Sequence, residues 1–240
     1  MNNSFYLIII IVLLLIICGL IAVIYLSNKH IKNRELELVD QKIALEDGRA
    51  KLMLAQLKPH FVSNTMSAIR AQIMTSPDEA VETLDYFVTF FREAIELLDT
   101  EGLVKADIEL EFTKNYLYLQ KSRFNEGLIY HINVEDTNFF IPPLSIQPLV
   151  ENAIHHGIRG KRSGTGVINI KIYSDDSYYL IDIIDDGIGF DPNNIINDDR
   201  THIGLSTVKY RLESMVGGLM QINSAPGKGT TITLSIPKVE

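Results

Sequence analysis

Glu151 and Asn152 stand side by side in an otherwise apolar stretch that runs from Ile141 through Leu149 and Val150 to Gly157. A carboxylate next to a carboxamide is costly to bury without a ligand or partner. Oxygen donors of this kind suit Mg²⁺, which usually arrives with the phosphates of a nucleotide. Three glycine elements follow along the chain. The first, Asp185-Asp186-Gly187-Ile188-Gly189-Phe190, ends a segment that reads as a strand. Its glycines let the backbone approach a ligand closely, and Asp185 can accept a hydrogen bond from an adenine amino group. The second, Ile203-Gly204-Leu205, falls at an expected helix start, where free N–H groups and the helix dipole favour phosphate. The third, Gly227-Lys228-Gly229-Thr230, reads as a turn. No Walker-type G-x-x-x-x-G-K-[ST] occurs, which excludes a P-loop site.

An acceptor for a phosphoryl group lies upstream, in Gln56-Leu57-Lys58-Pro59-His60-Phe61-Val62-Ser63-Asn64. A neutral imidazole nitrogen is a competent nucleophile towards a γ-phosphoryl group. Transfer needs mainly alignment and charge neutralisation. Pro59 is expected to free carbonyls about one turn back and so orient His60. Asn64 lies one helical turn on, on the same face, where it could position a water for dephosphorylation. A lone histidine on an amphipathic helix is usually structural; the nucleotide elements downstream reverse that expectation for His60. His155 and His156 have no other His or Cys nearby, and His156 reads as a helix-end residue close to the nucleotide. Lys161 and Arg162 read equally well as phosphate contacts or as solvated loop charges.

The nucleotide elements, in this order, resemble the GHKL (Bergerat-fold) ATP site. Its N box matches Glu151, Asn152 and His156-Gly157; its G1 box matches Asp185, Gly187 and Gly189; its G2 box matches Gly204-Leu205; its G3 box matches Gly227, Gly229 and Thr230. The resemblance implies that Asn152 holds Mg²⁺, that Glu151 orders the metal's water or acts as a base, that Asp185 reads adenine, and that residues 190–202 form a short lid. The His60 segment resembles the Q-x-x-P-H-F-x-x-N phosphoacceptor box of LytS-type sensor histidine kinases. Asn115-Tyr116-Leu117, Arg123-Phe124, Pro142-Pro143-Leu144 and Val208-Lys209-Tyr210-Arg211-Leu212 match as well, so the resemblance spans residues 52–237. It implies a sensor histidine kinase of a bacterial two-component system. ATP·Mg²⁺ would phosphorylate His60, and the group would pass to an aspartate of a response regulator, of the LytTR type by the same resemblance. Two departures stand out. His202 replaces the first glycine of the family's Gly-x-Gly-Leu, although the pattern is intact from Gly204 on and activity is expected to survive. Phe61 stands where many histidine kinases keep an acid, which leaves the base for His60 open. The rival readings are a membrane-anchored nucleotide-binding pseudokinase scaffold and a GHKL protein-serine kinase; the second has no use for the Pro59-His60-Phe61 helix.

These residues need elements to hold them. Residues 5–26 carry no charge, and about 20 apolar residues span a bilayer. Lys29, His30, Lys32 and Arg34 follow the run and no Lys or Arg precedes it, so the chain after it is expected in the cytoplasm. Residues 28–75 read as one long helix in which Ile31, Leu38, Leu45 and Leu52 repeat every seven residues. Ser76 and Pro77 break it and restart a helix to about residue 98, with Val81, Leu84, Phe87, Val88, Phe91, Ile95 and Leu98 on one broad face. Such a hairpin would bury its faces as a homodimeric four-helix bundle. A linker at 99–102, a helix over 106–123, strands over 128–134, 167–173, 178–184, 219–223 and 230–236, and a helix over 203–215 then predict an α+β sandwich, a mixed sheet faced by helices.

The expected organisation is a short extracytoplasmic end (1–4), a single-pass transmembrane helix in the cytoplasmic membrane (5–27), a signalling helix and dimerisation hairpin (28–100), and an ATP-binding domain (101–240). Input would come through the transmembrane helix, a partner membrane protein, the lipid bilayer or the cytoplasm. Cys18, the single cysteine, sits in the apolar run and excludes an internal disulfide. A net charge of −8 argues against direct binding of nucleic acid.

Overall fold

The computed structural model describes residues 59–124, 127–158, 160–161, 165–191 and 199–238. The expected membrane span and the helix leading to Lys58 lie outside the described residues. No helix among the described residues is long and apolar enough to cross a membrane.

Helix α1, Pro59–Thr75, and helix α2, Pro77–Asp99, form the hairpin. Ser76 marks the break, but through its backbone: its carbonyl accepts from the Ala80 N–H, and its side chain makes no capping bond. Pro77 opens α2, and Asp78 and Glu79 lie in its first turn, where acids favour the helix dipole. Within the described chain, α2 turns a different face to its neighbours from its broad apolar one. The buried residues are Ala80, Thr83, Phe90, Ala94 and Leu97. Val81, Leu84, Val88 and Ile95, from the broad face expected to be covered in a dimer, are 61%, 41%, 57% and 54% exposed in the single chain. Small residues on the inner face let α2 approach its neighbours closely, so the more apolar face is left outside.

The neighbour is helix α3, Ala106–Phe124, which packs on both α1 and α2. The three helices meet in a cluster of rings. Phe61 lies 5.2 Å from Phe90 and 5.5 Å from Tyr116, and Phe90 stacks on Phe112 at 4.8 Å. Below it, Tyr86 of α2 stacks on Tyr118 of α3 at 3.8 Å, and Asn115 donates to Glu93. Offset and tilted ring pairs of this kind add to the burial of large apolar area.

Two strands unforeseen in the sequence, β1 (Val104–Lys105) and β3 (Phe140–Ile141), pair antiparallel beside α3. They are too short to carry a period of two. The main sheet holds β2 (Leu128–Val134), β4 (Gly166–Ser174), β5 (Tyr178–Asp185), β6 (Leu219–Ser224) and β7 (Thr230–Pro237), in the order β2-β4-β5-β7-β6. Only the β2–β4 pair is parallel. One cross-strand row is isoleucine throughout: Ile132, Ile170, Ile183, Ile232 and Ile222. β-Branched side chains suit such a pleated, half-buried surface. The inner face meets α3, helix α4 (Gln147–Asn152) with the π-helix Ala153–Ile158 that continues it, and helix α5 (Asp199–Val216). The outer face is polar, with Tyr173 and Thr233 both donating to Asp182. This is the mixed sheet faced by helices that the alternation pattern predicts.

Replacing Phe90 by Ala removes the ring that Phe61, Phe112 and Tyr116 share. The cost is expected near 3–5 kcal/mol, read as a lower urea midpoint. An unchanged midpoint would mean that the ring cluster does not hold the three helices together.

Candidate functional site

The site is built where β5 ends. Asp185 is buried, and its carboxylate accepts the Gly187 N–H at 2.8 Å. Gly157, at the end of the π-helix, presses so close that a Cβ there would sit 2.6 Å from Asp185 Oδ1. The Gly157 carbonyl accepts the Ile188 N–H at 3.1 Å. On the other side, a Cβ on Gly229 would lie 2.0 Å from the Asp185 carbonyl, and one on Gly189 would lie 2.1 Å from that of Ala225. Both glycines also have positive φ, of 76° and 58°. No side chain fits in either place. The Gly227 N–H donates to Ile188, and Ser224 Oγ bonds Thr230 Oγ1 at 2.9 Å while accepting the Phe190 N–H. Three segments far apart in sequence, around Gly157, Gly187 and Gly229, thus converge on one carboxylate.

Burial pushes the Asp185 carboxyl up to about 6, with the Gly187 N–H and Lys161 pulling the other way and Asp186 adding to the rise. Lys161 is spoken for: it pairs with Asp186 at 2.9 Å, whose other oxygen accepts the Val167 N–H. Partial burial opposes them, but these contacts hold Asp186 below its ordinary range. Lys161 therefore supports the loop beside the site.

Glu151 and Asn152 end α4, and the chain then widens into the π-helix. Single π-turns are frequent at functional sites; here Gly157 of the wider turn packs against β5. Glu151 is buried, with His155 Nε2 3.8 Å from its carboxylate. Asn152 Nδ2 is buried without a hydrogen-bond partner among the described residues. An amide end left unpaired at such depth is costly unless a ligand completes it. A nucleotide phosphate fits that donor, and the amide oxygen suits a hard cation. His156 is exposed beside Gly157. Gly204 and Leu205 lie in α5, which begins at Asp199, four residues before the expected start at 203. Gly204 is therefore in the second turn of the helix, beyond the free N–H groups of its first turn.

His60 stands apart from this group, exposed in the first turn of α1. Asn64 Nδ2 lies 2.9 Å from His60 Nδ1 and 3.0 Å from Nε2, as expected for one helical turn. Phe61, next to it, is buried in the ring cluster and can serve only as an anchor.

One residue escaped the sequence reading. Glu109 of α3 is fully buried and accepts backbone N–H bonds from Leu144, Ser145 and Ile146, just before α4. Burial pushes its carboxyl up to about 7 against the pull of those N–H groups and of Arg211. As an acid in the first turn of a helix it looked like an ordinary companion of the helix dipole. The available signal was its spacing, three and seven residues before the buried Phe112 and Tyr116.

Known families match both halves of the described chain. The profile described as Histidine kinase matches residues 48–128. That described as Histidine kinase-, DNA gyrase B-, and HSP90-like ATPase matches residues 143–240. YwpD of Bacillus subtilis is 32% identical over 192 residues, which cover 78% of this chain and 69% of that protein. The chain belongs to the histidine kinase family. The sensor histidine kinase YpdA of Escherichia coli is 34% identical over 196 residues, covering 78% of this chain and 34% of YpdA. The sensor protein LytS of Oceanobacillus iheyensis is 29% identical over 215 residues, 84% of this chain and 36% of LytS. This histidine kinase chain thus spans about a third of the length of those two sensors. Its C-terminal half has the ATP-binding fold of the family, so the buried carboxylate, the orphaned amide and the glycine turns lie in a nucleotide-binding domain.

If Asp185 accepts a hydrogen bond from adenine, binding favours its ionised form and lowers its pKa from about 6. Affinity for ATP is then highest above pH 6 and falls as pH drops, by at most about tenfold per unit for one linked proton. Calorimetry on wild type and Asp185→Asn separates this from titration of the phosphates. The dependence in excess of the variant's is the expected result; identical slopes would exclude Asp185 as the adenine acceptor.

Proposed function

We propose that the chain is a sensor histidine kinase of a bacterial two-component system, which phosphorylates His60 with ATP·Mg²⁺ and passes the group to an aspartate of a response regulator. The observation that carries this is the pairing of an exposed His60 with a nucleotide-binding domain in one chain of the histidine kinase family. An exposed, neutral imidazole can attack an in-line γ-phosphoryl group. Asn152 would hold Mg²⁺ through its amide oxygen, Glu151 would help order the metal's water or act as a base, and the cation would neutralise phosphate charge. Among the described residues no group of three or more His, Cys, Asp or Glu side chains could hold a metal ion. A cation that brings its own phosphate ligands, as Mg²⁺ does, fits such a sparse site. His156, Asp185, Gly187, Gly189, Gly204, Leu205, Gly227, Gly229 and Thr230 line the nucleotide. Asn64, in contact with the imidazole, positions a water for dephosphorylation of the regulator. The regulator is of the LytTR type, the charge-free run over 5–27 anchors the chain in the cytoplasmic membrane, and a membrane partner or the lipid supplies the stimulus.

The hairpin supports a homodimer. Val81, Leu84, Val88 and Ile95 of α2 are exposed on one stripe, and Met66, Ile73 and Met74 of α1 are exposed too. A stripe of this composition at helical spacing is apolar surface that a second copy would cover in a four-helix bundle.

Four measurements test this on the full chain in detergent. Label from γ-phosphate should enter wild type and be lost in His60→Ala, with acid-labile chemistry; undiminished label in the variant refutes the acceptor, and acid-stable label favours a serine kinase. ATP binding with no transfer at all favours the pseudokinase scaffold. Loss of regulator dephosphorylation in Asn64→Ala is expected from the same preparation. Light scattering should give a dimer for wild type and a monomer for Val88→Asp; a wild-type monomer removes the bundle.

A further inference from the structure

Helix α3 touches both halves of the proposed machine with one face. Glu109, Phe112 and Tyr116 follow at the spacing that shares a helix face, and all three are buried. Phe112 stacks on Phe90 and Tyr116 meets Phe61, the residue next to His60. Glu109 reaches the segment that opens α4, the helix ending in Glu151 and Asn152.

The geometry of that contact is unusual. Leu144 has φ of 56°, a left-handed value that bulky residues rarely adopt, and it turns successive N–H groups of residues 144–146 to one side. Successive N–H groups in such a turn form a concave anion site. Here both oxygens of Glu109 fill it: one accepts from Leu144, the other from Ser145 and Ile146 at 3.0 Å. The Ile146 carbonyl in turn accepts the N–H groups of Leu149 and Val150, so the anchored segment runs directly into the first turn of α4. Arg211 of α5, whose charge also acts on Glu109, donates to the Pro143 carbonyl at 2.8 Å. α5 is the helix that follows the proposed lid, and it packs on α4. One short loop is thereby gripped by α3 through a carboxylate and by α5 through a guanidinium.

We propose that Glu109 and Arg211 are positioning residues for the nucleotide site, setting the place of α4, and hence of Asn152, relative to the phosphoacceptor hairpin and the helix after the lid. This rests on the reading of Asn152 as a residue of the ATP·Mg²⁺ site. Neither side chain need touch the nucleotide. Their effect is on the ground-state fit of the site, so it falls on affinity for ATP more than on turnover of the bound complex.

The test uses the full chain in detergent, with Glu109→Gln and, as a variant less exposed to folding failure, Arg211→Gln. The carboxamide keeps the size of Glu109 but sets an N–H₂ against donors it cannot satisfy. Expected is a rise in KM for ATP, and in the dissociation constant by calorimetry, of about tenfold for Glu109→Gln, equivalent to about 1.4 kcal/mol. For Arg211→Gln a smaller rise is expected, with kcat for His60 labelling within about threefold of wild type in both. Because both residues hold one loop, the double variant should fall short of the product of the single effects. A merely structural role lowers the folded fraction, which cuts apparent kcat and leaves KM unchanged; that pattern, or wild-type KM in both variants, overturns the proposal. Product behaviour in the double variant also overturns it, since the two residues would then act separately. If wild type itself binds no ATP, the reading of the site fails and the proposal fails with it, whereas binding by wild type with unaltered variants sinks the proposal alone.

Discussion

The ATP-binding half is organised around a buried carboxylate that backbone, and only backbone, can approach. Asp185 ends β5 with Gly157, Gly187 and Gly229 crowded about it at distances no Cβ would allow. Each comes from a different segment, so the contact requires the π-helix after α4, the loop after β5 and the turn before β7 to close together. The five-stranded sheet makes this possible, because the antiparallel register puts Thr230 directly opposite Asp185. The isoleucine row behind that register supplies much of the apolar burial holding the strands in place. What the site gives up is the comfort of the carboxylate, whose pKa rises with its burial. Strain and desolvation collected at one point are what a ligand that accepts and donates there can relieve.

The same logic appears a second time, with the ligand replaced by the protein. The turn at Leu144 presents three N–H groups in the manner of an anion site, and Glu109 occupies it permanently. A buried charge is tolerated when it is fully hydrogen-bonded and near an opposite charge. Here it holds the approach to the Glu151-Asn152 pair at a fixed offset from α3. Since α3 also carries the Tyr116 ring that meets Phe61, the proposed acceptor His60 and the Glu151-Asn152 pair both hang from one helix. Phe61 thereby acquires a reason of its own: it anchors the turn that displays His60 on the surface.

Much of this was legible in residue types and spacing. The N box, the glycine pairs, Asp185 and His60 are short patterns whose chemistry depends on identity and order, so they survive without coordinates. The strands and helices of the C-terminal half came out within a few residues, because alternation and helical periodicity are local properties. The face that α2 buries within the chain had no such signal. Val81, Leu84, Val88 and Ile95 have the stronger apolar pattern, yet Ala80, Thr83 and Ala94 face inward, because close helix approach favours small side chains that hydropathy scores poorly. The π-turn at Ala153–Ile158, the short strands β1 and β3, and the earlier start of α5 also gave no local signal.

By itself, then, the sequence determined which chemistry the chain is read as equipped for: a proposed phosphoryl acceptor at His60, a proposed nucleotide site marked by Glu151, Asn152, Asp185 and three glycine elements, and the alternation that makes a mixed sheet. Those are decided by identity, order and period, which a linear chain carries in full. Only the tertiary structure decided that Glu109 is a buried anchor, that Lys161 supports a loop, and that the apolar stripe of α2 points outward. The reason is the same in each case. A carboxylate, an ammonium or a valine has no role until its neighbours are known, and those neighbours lie up to about a hundred residues away in a chain whose contacts are set by packing.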